Sequence, residues 1–157
     1  MTSVRFQPIE KVASIKKVIK NLFDTDLDVS GGWGYDENTA TIVESLGDMP
    51  VEQFSHTFAS IRANIEMNAT LDKDDRYGGI NLSIKSKKTF NTDNQTYEIF
   101  TFLITAMKEK EYASFIKEYK ECYGKKEFDL ADHFYRRKES TIEREVDFCF
   151  KIQDKKA

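Results

Sequence analysis

The sequence predicts a single α+β domain over residues 1–157, with a mainly antiparallel sheet of about five strands and roughly three to four helices packed on it. Three observations predict it. Residues 142–152 alternate apolar and charged positions with a period of two, the mark of a half-buried strand. Val51, Phe54, Phe58, Ile61 and Ile65 recur at steps of three and four, which puts them on one helix face. Along the chain the period switches in the order helix, two strands, helix, two strands, two helices, strand, and short turns between neighbouring strands favour antiparallel pairing. The composition agrees: 39% hydrophobic and 13% aromatic residues suffice for a core, and 32% charged residues solvate the outside.

The first helix is predicted over 8–23. Pro8 suits its first turn, and Ile9, Val12, Val18, Ile19, Leu22 and Phe23 share a face opposite Lys11, Lys16, Lys17 and Lys20. Asp24 ends it. The spacing Asp24, Asp26, Asp28 resembles the start of a calcium loop, but Val29 and Tyr35 occupy the positions where glycine and glutamate are required. Residues 26–46 read as a hairpin whose long connection, Ser30–Ala40, holds three of the seven glycines and the only tryptophan. The Gly31-Gly-Trp-Gly34 run has neither dinucleotide-binding spacing nor the Gly-Lys-Ser/Thr ending of a phosphate loop.

Asp48 and Pro50 open the second helix, with His56 off its apolar stripe and partly exposed. Residues 68–79 form a polar connection in which Asp72, Asp74 and Asp75 miss the calcium-loop register. A strand follows over 80–88, a turn at Asn91–Asn94, and a strand from Tyr97 to Met107 that is apolar on both faces and so belongs inside the sheet. Tyr112, Phe115, Ile116, Tyr119 and Tyr123 mark a third helix ending near Gly124, and 125–140 holds a short fourth. Cys122 and Cys149 both fall in apolar patterns and are expected to be buried, reduced thiols.

Function is less legible than fold. A net charge of −3 gives no general attraction to nucleic acid or anionic membranes. No run approaches the ~20 apolar residues of a membrane span, and the first residues lead into a charged helix without a signal-length apolar stretch, so a cytoplasmic protein is expected. His133 lies beside Asp129 and Asp132, but no nucleophile stands at an identifiable spacing. No catalytic residue, cofactor or metal-ligand set is assigned.

The favoured reading is a small protein-interaction domain of the inhibitor, immunity or adaptor type. Its partner-binding residues are Trp33, Tyr35, Asp36 and Glu37 of the glycine-rich stretch, with Glu143, Glu145 and Asp147 of the last strand. Tryptophan and tyrosine supply interface anchors, and the acidic row fits a basic protein. Self-association is open, since the aromatic surplus can fill the core or a dimer face. A second reading is a ligand pocket or enzymatic site beside the same loop, using Tyr35, Asp36, Glu37 and a histidine. A third is single-stranded nucleic-acid binding by Lys85, Lys87 and Lys88 beside Phe90. Against both charged clusters stands a simpler expectation: Glu143, Glu145 and Asp147 face Lys85 and Lys87 across the sheet as cross-strand pairs.

Overall fold

The computed structural model describes residues 9–68, 76–92 and 95–153. Its elements are α1 (Ile15–Phe23), β1 (Val29–Gly31), β2 (Thr41–Val43), α2 (Val51–Asn68), β3 (Tyr77–Thr92), β4 (Gln95–Lys108), α3 (Glu109–Cys122), α4 (Leu130–Ser140) and β5 (Ile142–Ile152). The strands form one mixed sheet in the order β1-β2-β5-β4-β3. All neighbours pair antiparallel except β2 and β5, which run parallel through Thr41–Phe150, Ile42–Lys151 and Val43–Ile152.

β5 lies at the centre of the sheet with one strongly apolar face. Phe148 and Phe150 point to one side and are fully buried there, with Phe100, Phe102 and Ile104 of β4 beside them on the same face. α2 covers this face with Phe54 and Phe58, both edge-on to Phe150 at ring distances of 5.5 and 5.4 Å. Each such phenylalanine removed from water contributes about 1.5–3 kcal/mol. The apolar stripe of 51–65 thus meets the apolar parity of β4 and β5, and this contact is the core.

α1 is shorter than the pattern predicts. Pro8 lies outside the described residues, and the helix begins only after Ser14, whose Oγ accepts from the Lys17 amide at 3.3 Å. Residues 9–14 instead run as an irregular strap toward the glycine-rich loop. Asp24 does end the helix, in the left-handed conformation with φ 51°. Lys20 pairs with Asp24 and Asp26, and Lys16 with Asp28, so each carboxylate of the calcium-like run already has an ammonium partner. The Asp72–Asp75 run and the tip of the β3–β4 hairpin (93–94) lie outside the described residues.

The expected cross-strand pairs between the acidic row and the lysines do not form, because β4 lies between β5 and β3. Across β4, Glu143 faces Thr105, Glu145 faces Leu103 and Asp147 faces Thr101. A bulge between Ile84 and Ser86 leaves Lys85 without an opposite residue and turns Lys87 to the α2 side, where it pairs with Glu98 and Glu52 at 3.3 and 3.5 Å. Lys88 has the opposite parity, and Phe90 stacks on Tyr97. The three lysines therefore make no common surface.

Candidate functional site

The glycine-rich stretch is a loop that folds back on its own hairpin. Gly32 donates to Ala40 O at 3.1 Å and Gly34 to Thr39 O at 2.7 Å. Asp36 and Thr39 close the turn: the Thr39 amide donates to Asp36 Oδ1 at 2.8 Å, while the amides of Tyr35 and Asp36 donate to Thr39 Oγ1. The return is so close that a Cβ at Gly32 would lie 2.4 Å from Thr39 O. Gly34, at φ +87°, accepts from the Cys149 amide at 2.8 Å, extending the edge of β5 beyond the reach of β2. These glycines are required by backbone-to-backbone packing within the chain.

Beneath the loop lies a buried charge pair that the hydrophobic pattern does not announce. Arg62 is fully buried, with its guanidinium 3.7 Å from the Phe148 ring and 4.3 Å from the Tyr35 ring. It donates to Trp33 O at 3.1 Å and to Asp147 O at 3.0 Å, so one side chain ties loop, helix and β5 together. Glu66, one helical turn on and 3% exposed, stands 3.5 Å from Arg62 Nε and accepts from Tyr35 Oη at 2.5 Å. Tyr35 Oη in turn accepts from the Ile9 amide at 2.8 Å and so fastens the strap. Burial raises the Glu66 carboxyl above its ordinary value, with Arg62 and Tyr35 acting against it. Burial lowers Arg62 despite Glu66, and it raises the Tyr35 hydroxyl, helped by the bond to Glu66. One sequence signal for the pair existed: 62 and 66 follow Phe58 at steps of four, flanking the apolar stripe.

Two of the residues expected to meet a partner turn inward. Trp33 is 2% exposed and packs 6.1 Å from Phe58, so it is a core residue and offers no anchor. Tyr35 is half-buried with its hydroxyl committed to Glu66 and the strap. Asp36, Glu37, Glu143, Glu145 and Asp147 are all exposed. Moreover, Asp36, Glu37 and Asp147 all lie within electrostatic reach of Cys149. After burial, these three carboxylates are what push the Cys149 thiol up, to about 11. The fold thus joins the acidic residues of the loop to the acidic row of β5.

Neither histidine joins the loop, as the pocket-with-histidine reading would need. His56 is exposed, edge-on to Phe102 and 3.3 Å from Leu82 O. His133 is fully buried between α3 and α4 among Phe115, Tyr119, Phe128 and Phe134, with Nδ1 3.3 Å from Glu118. Of the two cysteines, Cys149 is buried and Cys122 half-buried, and both are free thiols. Among the described residues no group of three or more His, Cys, Asp or Glu is placed to hold a metal ion, and no helix is long and apolar enough to cross a membrane. Comparison with protein-family models, curated proteins and solved structures finds no match to this chain.

Proposed function

We propose that the chain is a protein-interaction domain that receives a basic protein partner on the sheet face opposite α2. One observation carries this reading. Glu143, Glu145 and Asp147 stand exposed in a row on that face, opposite the neutral Thr105, Leu103 and Thr101. Asp36 and Glu37 follow Gly34, whose carbonyl accepts from the Cys149 amide, and with Asp147 they act on the Cys149 thiol. Among the described residues no ion pair joins any of the five carboxylates to a cation within 4.0 Å. Such a row sustains a negative potential over an open surface, which speeds encounter with a positive partner and gains its full worth when that partner desolvates it. Half-buried Leu103 and Thr101 beside it supply neutral area for the centre of a contact. Trp33 and Tyr35 belong to the support of this surface, not to the surface itself.

The test is capture from native lysate by wild type and by a Glu37→Lys/Glu143→Lys/Glu145→Lys variant, whose altered side chains are all exposed. Wild type is expected to retain one stoichiometric basic protein, released by raised salt and absent from the variant, with both proteins showing the same melting temperature. Capture that survives the charge reversal would remove the acidic face from the function. Elution of purified wild type as a salt-sensitive dimer would replace the basic partner with a second copy of this acidic chain and so overturn the reading.

A further inference from the structure

A cavity of about 500 Å³ opens where the strap, the glycine-rich loop and three strands meet. Sites for small organic ligands commonly span about 300–1,000 Å³, so the space suits a compact molecule. One part of its wall is apolar: Ile9, Val12 and Ile15 come from the strap and the start of α1, and Ile42 comes from β2. Ile42, Lys151 and Tyr97 are direct lateral neighbours across β2, β5 and β4, which makes that side of the cavity a rigid piece of sheet. The remaining wall is the loop, held in place by the Arg62 and Tyr35 contacts.

The charges on the wall are not those of the chain as a whole. Lys11 reaches it from the strap and Lys151 from β5, against the single carboxylate of Glu37. Neither lysine has a carboxylate within 4.0 Å among the described residues. Asp36, next to Glu37, does not line the cavity, because its carboxylate is turned back to Thr39. A protein of net charge −3 thus carries a cavity with one excess positive charge beside an apolar patch. Two ammonium groups from separate elements at the edge of apolar surface match a ligand with an apolar body and one anionic end.

We propose that this cavity binds a small amphipathic carboxylate. Its hydrocarbon part lies against Ile9, Val12, Ile15 and Ile42, and its carboxylate lies between Lys11 and Lys151. The cavity adjoins the acidic sheet face and shares Glu37 with it, but Glu143, Glu145 and Asp147 do not line it, so either assignment can hold without the other.

The experiment uses the full chain and three probes of equal length: octanoate, octylammonium and octan-1-ol, titrated while backbone amide resonances are followed by NMR. Octanoate is expected to bind saturably and to move the amides of 9–13, 37–39, Ile42 and Lys151. Octan-1-ol should bind at least about tenfold more weakly and octylammonium not at all. Hexanoate should lose about fourfold for each methylene removed. The Lys11→Met/Lys151→Met variant, altered only at solvent-reaching side chains, should weaken octanoate about tenfold or more while leaving octan-1-ol unchanged. Equal binding of octanoate and octylammonium would overturn the proposal. So would unchanged octanoate affinity in the double variant, absence of saturable shifts, or shifts confined to the exposed Tyr123, Phe134 and Tyr135.

Discussion

Arg62→Met is the substitution that most directly examines how the loop is held. The change keeps an unbranched side chain of similar length between Phe148 and Tyr35 but removes the charge and both hydrogen bonds to carbonyl oxygens. Glu66 is left 3% exposed with its nearest cation gone. Removing one member of a buried pair costs about 3–5 kcal/mol, mostly the penalty of the orphaned charge. A typical domain has only about 5–15 kcal/mol of stability, so the variant should still fold but unfold at much lower urea. Arg62→Met/Glu66→Met should recover most of the loss, because two apolar groups replace two charges.

The pH dependence gives the mechanism its own signature. The folded Glu66 carboxyl is already raised above its unfolded value by burial. Between those two values the folded chain holds a proton that the unfolded chain has released, so stability falls as pH rises through the window. Loss of Arg62 raises the folded value further and widens the window, each pH unit of it being worth about 1.36 kcal/mol. The deficit of Arg62→Met relative to wild type should therefore be smaller at pH 5 than at pH 8, by about 1 kcal/mol or more. Urea denaturation at both pH values measures it. An equal deficit at the two values, or a double variant no better than the single, would refute the buried-charge account.

Two further outcomes follow from the same region. Gly32→Ala must push a Cβ into the Thr39 carbonyl, 2.4 Å away, and is expected to lose more than about 2 kcal/mol, whereas Gly47→Ala, which meets nothing within 4 Å, should lose only about 1 kcal/mol; urea midpoints compare them, and similar losses would contradict the close return of the loop. Cys149, buried and with its thiol pushed up to about 11, should resist a thiol reagent at pH 8 at least about a hundredfold longer than half-buried Cys122. Equal rates in native protein would show that the loop does not seal Cys149, and denaturant should abolish the difference.

The sequence by itself determined the order of the elements and the main buried faces of α2 and β5. The period of two in Ile142–Ile152 and the steps of three and four in Val51–Ile65 record the main face of each element that leaves water, although Cys149, Arg62 and Glu66 are buried off those faces, and Asp24 recorded the end of α1 in the same local way. A period says that a face is covered without saying by what. So the insertion of β5 between β2 and β4, which separates the acidic row from Lys85 and Lys87, was decided only when whole edges and faces met in three dimensions. The same holds at the candidate site. Arg62 and Glu66 are the same letters as a solvated i,i+4 pair on a helix surface, and Trp33 in a glycine-rich loop has the same local preferences facing in or out. What turned them inward was the aromatic floor of Phe58 and Phe148 and the free carbonyls of Trp33 and Asp147, groups that come together only in the folded chain. Conversely, Asp36 and Glu37 lie more than a hundred residues from Asp147 in sequence and share a surface with it because Gly34 binds the edge of β5.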